Sequence, residues 1–327
     1  MMNKFLFPFF RCLLLSFFCF MSQHALAADD VTVTTYTYAE KDGQELKLDV
    51  YVDSSYQHEG TRPVMIFSFG GSWKHGSREV GKSMLTDFAQ HGFVAVGIDY
   101  RLGIKQIEDS GVKIDASNFG ESYAKAITMG IEDLVDATSF LIQKADEWEL
   151  DTARFVACGS SAGAINTATA EYLICNRHPL VAGRLPESFN YRAIVPCAGG
   201  IWMMGTDTLT WERKPCMFID FHGTRDQLVP YGKMAMGKLF AAFGPEYYIP
   251  QLKAMEVPYS QHIYDGADHV IALIYDNPFA RQDILSFLRR TIDRKERLMQ
   301  VVHEENYGTA PSLRSFLDTL RGMGFQK

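Results

Sequence analysis

Apolar and polar residues alternate at period two over residues 31–38 and again over 46–52, with the turn Lys41-Asp42-Gly43 between them. This predicts an antiparallel hairpin. The pattern then changes. Residues 64–69 and 93–98 are near-continuous apolar runs, as expected of parallel strands covered on both faces, and 80–91 between them has helical character. A polar segment, 103–121, interrupts the rhythm and reads as a surface excursion or part of a lid. Ile131, Leu134, Val135, Leu141 and Ile142 recur at helical spacing up to Trp148 and predict a long amphipathic helix. Residues 155–159 form a buried strand running into a helix of small residues, 162–173. Two more buried strands are expected at 193–197 and 216–221, joined by an aromatic and sulfur-rich connection over 200–211. A helix over 231–243 and a strand over 255–264 follow. Ile284, Phe287, Leu288 and Ile292 mark a terminal helix, whose charge run 289–297 is a solvated face. Beyond Asn306 come a loop and a short amphipathic helix, 313–320. Strands alternating with helices, without internal repeat or low-complexity linker, predict an α/β fold. The sheet is mostly parallel, begins with an antiparallel hairpin and carries helices on both faces. Residues 28–327 are expected to form a single catalytic domain, with 306–327 as a C-terminal extension.

The first residues follow a different logic. Lys4 and Arg11 frame a basic region, 12–21 is a short apolar core, and Ala25-Leu26-Ala27 offers a small-residue cleavage site. This is the pattern of a signal peptide, residues 1–27, and predicts a secreted or periplasmic protein. The apolar core is about half the length needed to span a bilayer, so stable membrane insertion is not expected. Neither Cys12 nor Cys19 sits in a lipid-attachment context.

Composition narrows the partners. With 47% apolar and 13% aromatic residues the chain can build a substantial core. Its net charge of −7 becomes about −9 once Lys4 and Arg11 leave, which argues against a nucleic-acid partner. Cys158, Cys175, Cys197 and Cys216 would remain; one disulfide is permitted and none is required. No pair has the C-x-x-C spacing of a zinc or redox site, and no metal or cofactor is called for. Oligomeric state is not readable.

The chemistry centres on Gly159-Ser160-Ser161-Ala162-Gly163, where a buried strand breaks into a helix. The pattern Gly-x-Ser-x-Gly is a nucleophile elbow with Ser161 at its apex. A serine hydroxyl needs a base within hydrogen-bonding reach, and the base needs a carboxylate to fix its tautomer. Asp226 lies a few residues past the strand 216–221, and His269 lies in a Gly-containing loop after the next strand. Serine, acid and histidine thus fall in the chain order expected on such a sheet. Asp268 adjoins His269 too closely to serve as its acid, and His222 is expected to shape the turn or line the site. Backbone donors for an oxyanion are expected from Ala162 and from Gly70 and Gly71 in Phe69-Gly70-Gly71-Ser72-Trp73. Trp73, Ser160, Trp202 and Met203 are candidate substrate contacts.

Taken together, these motifs resemble the α/β-hydrolase superfamily of the secreted esterase/lipase type. Residues 69–73 resemble its His-Gly-Gly-Gly-Trp oxyanion motif, Asp99-Tyr100-Arg101-Leu102 its Asp-Tyr-Arg-Leu segment, and 159–163 its elbow. His222-Gly223 with Asp226 and Val229-Pro230 resembles the acid loop, and Gly266 with His269 the histidine loop. The resemblance spans about residues 46–292. Phe69 stands where the family has His and Ser72 where it has its third Gly, so the hydrogen bonds that brace this loop are expected to differ.

The resemblance implies a cofactor-free serine carboxylic-ester hydrolase acting through an acyl-enzyme. It implies a small-molecule or polysaccharide-linked ester as substrate, with acetyl or feruloyl esters of plant polysaccharide foremost. A prolyl-oligopeptidase-like peptidase shares the acid and histidine loops, but only a few dozen residues lie between the expected cleavage site and the strand at 64–69. A non-catalytic binding module on this fold would be expected to have lost a triad member, and none is missing.

Overall fold

The computed structural model describes residues 30–115, 117–235, 237 and 240–304. The expected signal peptide (1–27) and the 306–327 extension with its 313–320 helix lie outside the described residues.

The predicted hairpin is present. β1 (Val31–Lys41) pairs antiparallel with β2 (Gln44–Asp53) through the turn at Asp42 and Gly43. The two-sided apolar run 64–69 becomes β3 (Arg62–Ser68), followed by a 3₁₀ turn, α1 (Lys82–Gln90) and β4 (Val94–Ile98). The polar segment 103–121 contains α2 (Gly103–Asp109), and the long helix begins within it as α3 (Phe119–Gln143). Next come β5 (Leu150–Ser160), α4 (Ala162–Cys175), β6 (Ala193–Cys197), β7 (Ile201–Met203) and β8 (Met217–Gly223).

One expectation is overturned here. The helix expected over 231–243 is instead two short strands, β9 (Lys233–Ala235) and β10 (Ala241–Phe243). They complete a three-stranded antiparallel sheet with β7, in the order β7-β10-β9. Lys, Met, Ala, Leu and Phe are good or tolerable helix formers, so local preference favoured helix; pairing with a strand 40 residues earlier prevailed. The helix comes next, as α5 (Pro245–Ala254), started by Pro245 at its first turn. β11 (Tyr259–Tyr264), α6 (Pro278–Leu288) and β12 (Met299–His303) end the described chain.

Nine strands form the main sheet, in the order β1-β2-β4-β3-β5-β6-β8-β11-β12. β1, β2 and β4 join antiparallel, and all pairs from β4 to β12 are parallel. The order positions the site. From β3 the chain first winds outward to β4, then returns to the other side of β3 as β5. Right-handed crossovers in opposite directions put their helices on opposite faces, and a crevice opens where the winding reverses, at the carboxyl ends of β3 and β5. The 69–73 loop leaves β3 at that point, and Ser161 leaves β5. This is the α/β-hydrolase fold.

Candidate active site

β5 turns into α4 at Ser161, whose φ of 49° and ψ of −116° lie outside the regions open to most side chains. The turn is held by close packing. A Cβ on Gly159 would lie 2.3 Å from the Gly163 carbonyl oxygen, and one on Gly163 would lie 2.0 Å from that of Ser68. Only glycine fits either position. The Ser161 N–H donates to the Cys197 carbonyl at 2.9 Å, which fixes the apex against the end of β6. Ser161 stands at the N-cap position of α4 without spending its hydroxyl on a cap, so the hydroxyl sits at the positive end of a fully buried helix.

The structure brings the predicted acid and base to this serine. Ser161 Oγ lies 2.7 Å from His269 Nε2, and His269 Nδ1 lies 2.7 Å from Asp226 Oδ2. Two loops must be in register for this, and they are cross-tied. Arg225 N–H donates to the Ala267 carbonyl at 2.9 Å, and Gly266 N–H to Thr224 Oγ1 at 2.8 Å. Asp268 caps the turn after the histidine by accepting from Val270 N–H at 3.0 Å.

Asp226 is held from both sides. Its Oδ1 accepts the N–H groups of Leu228 and Val229, each at 2.9 Å, while Oδ2 faces His269 and, at 3.4 Å, His222 Nε2. Burial alone would raise the carboxyl pKa. Hydrogen bonds and charge from His222 and His269 outweigh burial and hold it well below the ordinary carboxylate range. His222 is fully buried behind the acid, with Nε2 also 3.0 Å from the Val229 carbonyl. Burial disfavours its cation, but Asp226 and Asp220 outweigh this and raise its pKa.

The 69–73 loop shows how Phe69 substitutes for histidine. Its ring stacks on Tyr100, with centroids 4.2 Å apart, and the Tyr100 hydroxyl donates to the Phe69 carbonyl at 2.8 Å. Gly71 adopts φ 120°, Ser72 and Trp73 follow at 55° and 54°, and the Gly71 carbonyl accepts from Lys74 and His75 N–H. Gly70 backs directly onto the nucleophile, because a Cβ there would lie 3.1 Å from Ser161 Cβ. Ala162 opens α4, so its N–H is one that a helix leaves without an intrahelical acceptor. The 99–101 segment braces the loop's surroundings. Asp99 accepts from Arg78 backbone and side chain at 2.9 Å each, and Arg101 grips Asp133 of α3.

A cavity of about 240 Å³ opens on Ser161 and His269. Gly70, Gly71 and Ser160 line it; Val80, Leu228, Leu273 and Tyr275 supply apolar wall. Ser160 Oγ is spent on the Ala272 carbonyl at 2.6 Å. Trp73, Trp202 and Met203 are not part of this wall. Trp73 is 2% exposed, donates Nε1–H to Asn166 Oδ1 at 2.9 Å, and is covered by Tyr123 and Trp202. Trp202 is itself buried, with β7 paired to β10. Missed in the sequence were Leu228, Leu273 and Tyr275. The apolar run Val270-Ile271-Ala272-Leu273-Ile274 directly after the histidine was the available signal, since such a run needs something to cover.

Residues 48–178 match the model of the BD-FAE family. No curated protein matches the chain. Among solved structures it resembles Thermogutta terrifontis esterase 2 phosphorylated by paraoxon, at 20% identity and a TM-score of 0.57 over 80% of this chain and 94% of that one. The apo form of the same esterase matches at 21% identity and 0.57, over 82% and 96%. Its propionate-bound form matches at 20% and 0.56, over 80% and 94%.

Proposed function

We propose that this chain is a serine carboxylic-ester hydrolase, with Ser161 as nucleophile, His269 as general base and Asp226 as the carboxylate that orients it. The observation that carries this reading is the unbroken relay Ser161 Oγ–His269 Nε2–Asp226 Oδ2, 2.7 Å at each step. His269 takes the Ser161 proton as Oγ attacks the ester carbonyl, and Asp226 stabilises the resulting imidazolium. Amides of Ala162 and Gly71, with Gly70 beside them, serve the oxyanion. His269 then protonates the leaving alcohol, and the acyl-enzyme is opened by a water that His269 deprotonates.

The cavity of about 240 Å³, walled by Val80, Leu228, Leu273 and Tyr275, gives an acyl group an apolar seat beside Ser161. Among the polysaccharide esters named above we take acetyl rather than feruloyl as the acyl group. The paraoxon-phosphorylated and propionate-bound forms of the Thermogutta esterase support ester chemistry with short acyl chains on this fold. Export through the 1–27 signal peptide would deliver the enzyme to such polymers outside the cytoplasm. N-terminal sequencing of the exported protein should begin at Ala28.

Two measurements test the reading. A fluorophosphonate probe should label Ser161, and acetyl nitrophenyl ester should be cleaved faster than octanoyl or feruloyl esters. Ser161→Ala should abolish labelling and lower kcat on the order of 10⁶-fold. Full esterase activity in that variant would sink the assignment.

A further inference from the structure

We propose that His262, Asp283 and Glu304 form a binding site for one borderline divalent cation of the zinc class, apart from the reacting centre. The three residues come from β11, α6 and the chain just after β12, and one ligand atom from each lies within 4.8 Å of the other two. Their spacing along the chain resembles no metal motif, so the cluster exists only through the fold.

His262 Nδ1 already lies 3.2 Å from Glu304 Oε1, in hydrogen-bond contact. A tetrahedral ion with bonds of about 2.1 Å holds its ligands about 3.4 Å apart, so a small shift of these side chains would admit one. The imidazole is also built in as a metal ligand would be. His262 is 2% exposed and its ring stacks on Phe221 at 4.4 Å and 15°. Nε2 lies 3.0 Å from Ser260 Oγ, which Gln300 Nε2 holds at 2.8 Å. Ser260 therefore holds the ring from its Nε2 side and leaves Nδ1 on the side of Glu304, where it would meet a metal ion.

Charge gives the second argument. Among the described residues neither Asp283 nor Glu304 has a lysine or arginine within ion-pair distance, and His262 is the one basic group between them. A divalent cation would relieve the repulsion between the two carboxylates and tie α6 to the last strands of the sheet. A mixed nitrogen and oxygen donor set suits zinc better than an oxygen-seeking ion such as calcium.

The test is titration of the chelator-treated full chain with zinc chloride, followed by calorimetry and thermal melting. One zinc per chain and a raised Tm are expected. Asp283 is exposed, so Asp283→Asn should fold, and it should weaken binding at least about tenfold, as should Glu304→Gln. Absence of stoichiometric zinc binding would overturn the proposal, and so would binding undiminished in both variants. A preference for calcium over zinc would do the same.

Discussion

Two buried carboxyl groups, Asp226 and Asp133, are partnered in different ways. Asp133, at 0% exposure, accepts from Arg101 backbone and guanidinium and from Lys41 Nζ at 2.8 Å. Arg101 and Lys41 also reach Asp42, Glu132 and Asp136, so this cluster clamps the β1–β2 turn and the 99–101 segment onto α3. Burial disfavours the Arg101 cation, yet the Asp133 hydrogen bonds outweigh it and raise the pKa. Asp226 has two histidines and two backbone N–H groups instead. Arginine and lysine keep their charge throughout the ordinary pH range, whereas imidazole gains and loses a proton near neutrality. The first cluster can only hold; the second can pass a proton.

The largest effect that would sharpen this contrast is expected from Asp226→Asn. Losing the carboxylate should lower kcat about 10⁴-fold while the protein stays folded, because His269 loses both its tautomer and its counter-charge. Steady-state kinetics beside circular dichroism would check it. Asp133→Ala should do the reverse. It removes the fully buried partner of Arg101 and leaves only the more exposed Asp42 and Glu132, at a cost of at most about 3–5 kcal/mol in unfolding free energy, with kcat per folded molecule unchanged. Urea denaturation measures the first quantity and active-site titration the second. If kcat fell too, the clamp would be shown to act on the 69–73 loop through Tyr100, and the division between holding and reacting would break.

The same division explains what could be read from the sequence. Ser161, Asp226 and His269 were legible because each must follow a buried strand in a fixed order, and strands covered on both faces announce themselves as apolar runs. Asp133 carried no such mark: one acid among the polar positions of α3 looks like a solvated residue until Arg101 and Lys41 are folded onto it. The aromatic stretch holding Trp202 read as substrate wall, because composition tells that a ring is buried and not against what. β9 and β10, three residues each, are too short to show a period, and their pairing with β7 is long-range. The clustering of His262 with Asp283 and Glu304 depends on three separate elements and has no local signal.

The smallest expected effect concerns a third buried carboxyl that has neither kind of partner. Glu171 in α4 accepts at Oε1 from Cys216 N–H at 2.8 Å and from the Cys175 thiol at 3.3 Å, and its Oε2 has no hydrogen-bond partner. Burial pushes its pKa up to about 7. Such a group favours the native state at low pH, where both states hold the proton. As pH rises from about 4.3 toward 7 the unfolded chain releases its proton first, so this contribution is progressively lost. Asp226 has the opposite sign, contributing above about pH 4 and failing as pH falls through its depressed native value. Glu171→Gln keeps the Oε1 acceptor and places a donor where the protonated acid has one, so it should fold normally and remove the decline between pH 4.5 and 7, worth at most about 3 kcal/mol. Chemical denaturation across that range would show the variant's curve flattening relative to wild type. An unchanged slope would mean that Glu171 is ionised in the native protein and, like Asp133, draws on a cation, for which Arg213 is the neighbour that acts on its charge.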